Sequence, residues 1–173
     1  VNINTIEPMA FSGCKELKEL NLPEGLENIG YGFIANTGIT NLTVPSTVTG
    51  GDCDYGREGI LEGSVLETLI FADGIKMIPG YFCYKGDYGR DNYTLQHIEI
   101  PESVTEIGEK AFDGCAALEE IEIGKEISRV GNSAFQDCTG LKKVRFQKND
   151  KTVITNAGKK LYPVTIGRQA FAG

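Results

Sequence analysis

Two short segments of the sequence carry the residue types that most often contact partners in protein interfaces. Each contains the tetrapeptide Asp-Tyr-Gly-Arg, at 54–57 and again at 87–90. Tyrosine and arginine bury large areas and still form hydrogen bonds, so they are enriched at the points where interfaces gain most binding energy. The sequence therefore predicts one partner-binding patch, made of Tyr55, Arg57, Tyr84, Tyr88, Arg90 and Tyr93. The alternative is that the tyrosines cover the flank of the core and Asp–Arg pairs hold the loops.

The sequence contains few residues that are arranged for catalysis. His97 is the only histidine, and a nucleophile–base pair with Cys83 would need both side chains on one side of the chain's fold. We expect Cys83 to be buried and His97 to face solvent. No phosphate-binding loop, nucleophile elbow or zinc-protease motif occurs. We therefore predict no catalytic residues, no cofactor and no enzymatic activity, with an enzyme whose site lies in an insertion as a remote alternative.

Metal binding has one weak candidate. Asp52, Asp54 and Glu58 alternate in a way that resembles a calcium loop, in which carboxylates converge on a hard cation. The spacing is incomplete and Arg57 interrupts it, so no metal site is predicted. No Cys-x-x-Cys pair or Cys/His cluster suggests zinc either.

The five cysteines fall into two groups. Cys14, Cys115 and Cys138 occupy one position of a repeat, which is typical of a ladder of small buried side chains and not of a disulfide framework. Cys53 and Cys83 lie in irregular segments. A disulfide between them is left open, because the geometry of a bridge cannot be deduced from sequence.

These residues are carried by a repeated unit. The segment IGEKAFDGCAALEEIEIG at 107–124 recurs as VGNSAFQDCTGLKKVRFQ, starting 23 positions later at Val130. The template is I-x3-A-F-x2-C-x2-L-x2-I-x-I-P-x2-V. A period of this length is the signature of stacked repeats, each of which buries its apolar face against its neighbours.

The repeats extend over residues 1–173 as a single domain. They start near 6, 29, 51, 78, 107, 130 and 166, with insertions near 51–59, 83–93 and 147–165. The pattern is cut within a repeat at both ends, and we see no polar capping repeat of the kind that usually closes a solenoid. We therefore expect this chain to be part of a longer one.

Within each repeat, L-x-x-I-x-I is a short apolar segment that ends at proline and alternates as a strand does. The A-F-x2-C-x2-L segment has helix-like spacing but is short, which predicts a short helix or 3₁₀ turn. The fold class is thus a β-rich α/β repeat solenoid: a right-handed coil of about six turns with a parallel β-sheet and strands about 4.8 Å apart.

The outward strand positions form rows across that sheet. In consecutive repeats the rows contain Glu119, Glu120 and Glu122, then Lys142, Lys143 and Arg145. One interpretation is a polar surface that docks a charged partner. The favoured alternative is local pairing of Glu119 with Lys142, Glu120 with Lys143 and Glu122 with Arg145, each worth about 0.2–1 kcal/mol.

The residues AF, C, L-x-x-I-x-I-P and V-x-x-I resemble the bacterial BspA-like leucine-rich repeats. The resemblance covers nearly the whole chain outside the insertions. It implies a leucine-rich-repeat module of a secreted or cell-surface bacterial protein that binds other proteins or host and matrix surfaces, as in adhesion. It implies no catalytic residues. A structural spacer within a longer surface protein is the alternative.

Charge and hydropathy restrict the partners further. The net charge is −7, which argues against nucleic acid because phosphate neutralisation needs clustered Lys and Arg. No apolar run approaches the ~20 residues that span a membrane. The expected partner is thus a protein or surface ligand.

Overall fold

The computed structural model describes residues 2–52, 59–84, 86, 94–148, 152–155, 158–161 and 164–173. It shows a parallel-strand solenoid of about five turns, which confirms the predicted fold class. Coils 1 to 6 are numbered from the repeats that begin at 6, 29, 51, 78, 107 and 130. Coils 2 to 6 each have three walls, which are a short strand, a run of turns and a longer strand, whereas coil 1 lacks the longer strand.

The short-strand wall contains strands of two or three residues, paired in parallel with the equivalent strands of neighbouring coils. They form one sheet in the order β1-β2-β4 and a second in the order β14-β10-β8-β6. The strands are β1 (Thr5–Ile6), β2 (Asn28–Gly30), β4 (Gly50–Asp52), β6 (Met77–Ile78), β8 (Glu106–Ile107), β10 (Arg129–Val130) and β14 (Thr165–Ile166).

The long-strand wall is formed by the L-x-x-I-x-I segments. They pair in parallel as β3-β5-β7 and as β11-β9. In the template coil, Ile121 and Ile123 are buried while Glu120 and Glu122 are exposed, as the two-residue period of a strand requires. The strands are β3 (Asn41–Val44), β5 (Thr68–Phe71), β7 (His97–Glu99), β9 (Glu120–Ile123) and β11 (Lys143–Phe146).

The A-F-x2-C segment forms the turn wall, and the predicted short helix or 3₁₀ turn is not formed there or elsewhere in the described ranges. Lys110 and Gly114 have φ angles of 51° and 80°, and left-handed residues interrupt a right-handed helix. Alternate amides bond in different directions. Phe112 N–H donates to the Ala134 carbonyl of the next coil (2.8 Å), whereas Cys115 N–H donates to the Phe112 carbonyl within the turn (3.3 Å).

The core lies between the three walls and runs along the stack. Phe112 and Phe135, one coil apart, stack with ring centroids 5.1 Å from each other, and Phe135 stacks in the same way on Phe171. Phe33 and Phe82 are also fully buried. Because aromatic rings of successive coils are in contact, neither face of an inner coil is left apolar and exposed.

A column of glycines lets the coils approach each other where the short-strand wall ends. A Cβ on Gly131 would lie 2.5 Å from the Glu109 nitrogen, and one on Gly167 would lie 2.5 Å from the Asn132 nitrogen. Real Cβ atoms do not approach backbone so closely. Glycine is therefore required sterically here, because the neighbouring backbone occupies the space of a side chain.

Two segments depart from the predicted template. Residues 17–22 of coil 1 form no strand, although Leu17, Leu20 and Leu22 match the strand pattern. In the 147–165 insertion, β12 (Thr152–Thr155) and β13 (Gly158–Leu161) form an antiparallel hairpin. An antiparallel pair cannot continue the parallel ladders of the stack, so the hairpin is an addition to coil 6.

Candidate functional site

The outward face of the long-strand wall is polar and open to solvent, and opposite charges meet across it. Lys142 Nζ lies 2.6 Å from Glu119 Oε1, and both side chains are mostly exposed. This contact confirms one predicted pair. Glu120 lies opposite Lys143 and Glu122 opposite Arg145 in the strand register, as predicted.

At Glu120 and Glu122 the side-chain partners differ from the predicted ones. Arg145 contacts Glu120 (3.3 Å), not Glu122 opposite it. Glu122 accepts a hydrogen bond from the side-chain amide of Gln147 instead. A long guanidinium side chain reaches the diagonal neighbour on the adjacent strand, so register alone does not determine the partner.

The long-strand wall is divided between coils 4 and 5. β5 pairs with β7 and β9 pairs with β11, but β7 and β9 belong to different sheets. The division opens a groove with two connected depressions of about 170 and 360 Å³, which share Ile98 and Glu122. The sequence pattern did not predict this groove, because β7 and β9 both match the strand template.

A second depression lies at the other end of the same wall. It has a volume of about 660 Å³ and is lined by residues 18–22 of coil 1 together with β3 and Ile70 of β5. The depression exists because residues 18–22 form no ladder with β3. Coils 1 and 2 are joined just before this segment, where Gly38 N–H donates to the Leu17 carbonyl (2.9 Å). Its rim mixes Lys18 with Glu19 and Glu24, so it has no strong net charge.

The predicted tyrosine and arginine patch lies mainly outside the described residues; this applies to Tyr55, Arg57, Tyr88, Arg90 and Tyr93. Tyr84 is described and is buried. Its ring meets that of Tyr81 edge to face, with centroids 5.4 Å apart. The Lys110 ammonium lies 4.4 Å from the Tyr84 ring centroid, within the range of a cation–π contact. Tyr84 therefore packs against coil 5 at the base of the 83–93 insertion.

The residues considered for catalysis are separated by the wall of the solenoid. Cys83 is buried in the core. His97 is on the outward face, with its side chain 59% exposed and its Nε2 3.1 Å from Glu99 Oε1. The expectation that Cys83 is buried while His97 faces solvent is thus met. Asp54 and Glu58 of the calcium-like segment lie outside the described residues, as does the side chain of Asp52.

Three cysteines line the core in consecutive coils, namely Cys83, Cys115 and Cys138. All three are free thiols, as is the exposed Cys14. The disulfide between Cys53 and Cys83, which the sequence left open, is not formed by Cys83, and Cys53 itself lies outside the described residues. The Cys138 thiol donates to the Phe112 carbonyl (3.1 Å). The hydrogen bond with Cys115, followed by burial, raises the pKa of Cys138 well above its ordinary value. Because the pKa values of Cys115 and Cys138 are both raised, these two thiols stay protonated near neutral pH and are poor nucleophiles.

Two further observations concern metal ligands and membrane-spanning helices in the described part of the chain. No group of three or more His, Cys, Asp or Glu side chains within the described ranges is placed to hold a metal ion. In those same ranges, no helix has the length and apolar character needed to cross a lipid bilayer.

A sequence model of the BspA type leucine rich repeat region matches residues 1–55 and 57–162, in six copies. The search of curated proteins found no match. A leucine-rich repeat protein from Bacteroides ovatus has a similar solved structure, with a TM-score of 0.63 and 23% sequence identity. The match covers 99% of this chain and 44% of that one, so this chain spans less than half of its length. At this identity the likeness shows the fold alone.

Two other solved structures are more distant. A leucine rich cell surface protein from Faecalibacterium prausnitzii has a TM-score of 0.41 and 18% identity, over 90% of this chain and 50% of that one. The pneumococcal vaccine antigen PcpA has a TM-score of 0.44 and 17% identity, over 85% of this chain and 49% of that one.

Proposed function

Because the chain belongs to the BspA type leucine rich repeat family, we propose that it is a non-enzymatic binding module of a secreted or cell-surface bacterial protein. Its partner is a protein or a surface ligand of the host or matrix, as in adhesion. In these repeats, the apolar residues at the core positions hold neighbouring coils together. Any binding then depends on side chains that packing leaves outside.

The outward face of the long-strand wall carries this proposal. Along β9, Ile121 and Ile123 fill the core while Glu120 and Glu122 face solvent. The same alternation gives β3 exposed Asn41 and Thr43. The fold needs only the inward row, so packing does not determine which residues form the outward row. A rigid, polar and laterally extended face of this kind suits the docking of a macromolecule.

The Asp-Tyr-Gly-Arg insertions are the second part of the proposed surface. We place partner contacts on Tyr55, Arg57, Tyr88, Arg90 and Tyr93, for the chemical reasons given above. Tyr84, which is buried beneath Lys110, holds the base of the second insertion and does not itself contact the partner.

A structural spacer is the second candidate, and the charge pairs on the sheet favour it. Glu119 with Lys142 and Glu120 with Arg145 satisfy one another within the wall. Residues that pair internally stabilise the stack and need no partner. In this case the chain holds other domains of a longer surface protein at a fixed distance.

An array of glycans and extracellular matrix proteins, probed with the tagged chain, separates the two functions. We expect saturable binding to one class of ligand, reduced in the Tyr88→Ala/Arg90→Ala variant. The control is Tyr31→Ala/Lys15→Ala, which removes one tyrosine and one basic side chain outside the insertions and should bind normally. A folded chain that binds nothing on the array supports the spacer function.

A further inference from the structure

The long-strand wall is interrupted between β7 and β9, and this interruption is called the gap. Both strands are fully described, and each forms a ladder on one side only: β7 with β5, and β9 with β11. The edges of β7 and β9 that face each other form no ladder. An added extended chain would supply the ladder partner that these two edges lack.

Coils 4 and 5 are nevertheless joined at their other two walls. On the short-strand wall, Ile78 of β6 pairs with Ile107 of β8. On the turn wall, Tyr81 N–H donates to the Glu109 carbonyl (2.8 Å) and Cys83 N–H to the Ala111 carbonyl (2.7 Å). These contacts hold the two edges of the gap at a fixed separation.

Both edges present backbone groups to the gap. In a parallel ladder, alternate residues direct their N–H and C=O groups to the same side. Lys143 N–H donates to the Glu119 carbonyl and Gln147 N–H to the Ile123 carbonyl, so the odd residues of β9 face β11. Glu120 and Glu122 therefore direct their backbone groups toward β7. On β7, His97 N–H donates to the Glu67 carbonyl of coil 3.

By the same alternation, Ile98 directs its backbone N–H and C=O groups toward β9. Donors and acceptors thus line both sides of the groove, which is the requirement for adding a strand to a sheet edge. The floor is apolar: Ile98 and Phe71 are buried and line the larger depression together with Ile100.

The rim of the groove is acidic. Glu99 and Glu102 lie on the coil 4 side, and Glu120 and Glu122 on the coil 5 side. Their nearby cations are Arg145, which contacts Glu120, and Lys125, which contacts Glu102 at 3.1 Å. Four carboxylates with two cations leave an excess of negative charge, in a chain whose net charge is −7.

We infer that this groove binds an extended peptide segment that bears lysine or arginine, as an added strand between β7 and β9. The peptide backbone completes the interrupted sheet, its apolar side chains contact Ile98 and Ile100, and its cationic side chains contact the glutamates of the rim. This inference rests on the proposed binding function and assigns to it a site and a class of partner.

The test uses the whole chain and an octapeptide in which lysine alternates with valine. Two matched peptides serve as probes of mechanism: one with glutamate in place of lysine, and one with alternate amides N-methylated. Fluorescence anisotropy should show saturable binding of the lysine peptide alone, weakened by salt at about 0.5 M. N-methylation removes the backbone donors without changing charge, so it should abolish binding if a strand is added.

Two variants of the chain locate the site. Glu120→Lys/Glu122→Lys should weaken binding by about tenfold or more, because it reverses the charge of one rim. Glu16→Lys/Glu27→Lys makes the same change of net charge at exposed positions outside the groove and should bind normally. In hydrogen exchange measured by NMR, the amides of Ile98, Glu120 and Glu122 should gain protection when the peptide binds. Circular dichroism confirms that each variant is folded.

Several results would overturn the inference. They are no binding of the lysine peptide up to about 1 mM, equal binding of the N-methylated peptide, or equal loss in Glu16→Lys/Glu27→Lys. Self-association of the chain that is lost in Glu120→Lys/Glu122→Lys would identify a second copy as the occupant instead. If that double variant still binds a partner found on the array, the groove inference fails while the proposed binding function stands.

Discussion

Phe71 of coil 3 contacts Phe112 of coil 5 across the intervening coil, with ring centroids 6.2 Å apart in an edge-to-face arrangement. In coil 4 the position equivalent to Phe112 is held by Cys83, since both N–H groups donate to the next coil in the same way. Phe71 also meets Phe82 of coil 4 edge to face, with ring centroids 5.3 Å apart, and it lies beneath the groove between coils 4 and 5.

Replacing Phe71 should be much more costly than replacing the equivalent residue of coil 6. Both Phe71 and Phe146 end a long strand, but they are 2% and 54% exposed. Phe71→Ala should lower the free energy of unfolding by about 3–5 kcal/mol, through lost contacts and a cavity, and Phe146→Ala by less than half of that. Urea unfolding of the two variants measures the difference. Similar losses would show that Phe71 is not the buried support described here.

The glycine column predicts a steric effect that sequence composition alone would not suggest. A Cβ on Gly131 would overlap the backbone of coil 5, whereas a Cβ on Gly124 meets no atom within 4 Å. Gly131→Ala should therefore destabilise the chain by roughly 2 kcal/mol or more, because two coils must move apart. Gly124→Ala should change stability by less than about 0.5 kcal/mol. Thermal unfolding of both variants, in one buffer, is the measurement; a harmless Gly131→Ala would contradict the close approach.

The charge pairs of the long-strand wall should make a small, salt-sensitive contribution to stability. Changing Lys142, Lys143 and Arg145 to Glu places like charges beside the glutamates of β9 and should cost roughly 1–3 kcal/mol at low salt. Most of the loss should disappear in about 1 M NaCl, because exposed charges are screened.

The control for this charge reversal is the triple change of Lys15, Lys18 and Lys76 to Glu. It alters the net charge equally and lies outside the β9–β11 pair. It should cost less at low salt. If both triple variants lose the same stability, net charge and not cross-strand pairing is responsible.

The buried thiols should make stability fall at alkaline pH. The pKa values of Cys115 and Cys138 are raised above the ordinary value of 9.0 in the folded chain. Above pH 9 the unfolded chain loses protons that the folded chain keeps, so folding is progressively disfavoured. The contribution is fully present below that pH and declines by about 1.4 kcal/mol per pH unit and thiol above it.

Urea unfolding between about pH 8 and 10.5 tests this dependence. Cys115→Ala/Cys138→Ala should lower stability at every pH through lost packing, but its slope above pH 9 should be shallower than that of the native chain. An unchanged slope would mean that other groups cause the alkaline loss.

Thiol accessibility provides a second, independent measurement of the cysteine ladder. Cys14 is exposed, whereas Cys83, Cys115 and Cys138 are buried. Brief treatment of the folded chain with iodoacetamide, followed by peptide mass mapping, should label Cys14 and leave the other three unmodified. All of them should react in urea. Labelling of Cys138 at the rate of Cys14 would show that the core opens readily at coil 6.

The repeat could be predicted from sequence because packing acts equally on every coil. Ile121 and Val144 are equivalent positions, and both sit in a parallel ladder in the expected register. The glycine column was also present as a signal, since Gly108, Gly131 and Gly167 each follow the last residue of a short strand. It was missed because the template followed the apolar side chains alone.

The groove could not be predicted in this way. Its two strands, β7 and β9, match the template although they form no ladder with each other. A periodic pattern gives the features that all coils share, so it does not predict a missing ladder between two particular coils. Likewise, Arg145 selects Glu120 over the glutamate opposite it by side-chain reach, which a register does not encode.

The unequal walls between coils 4 and 5 have a consequence for the curvature of the molecule. Two walls are in contact there and the third is apart, so the axis must bend at this point with the long-strand wall on the outer side. A strand seated in the gap would fix the angle of the bend. Any domain attached beyond coil 5 would then keep one direction relative to coils 1 to 4 while the groove is filled.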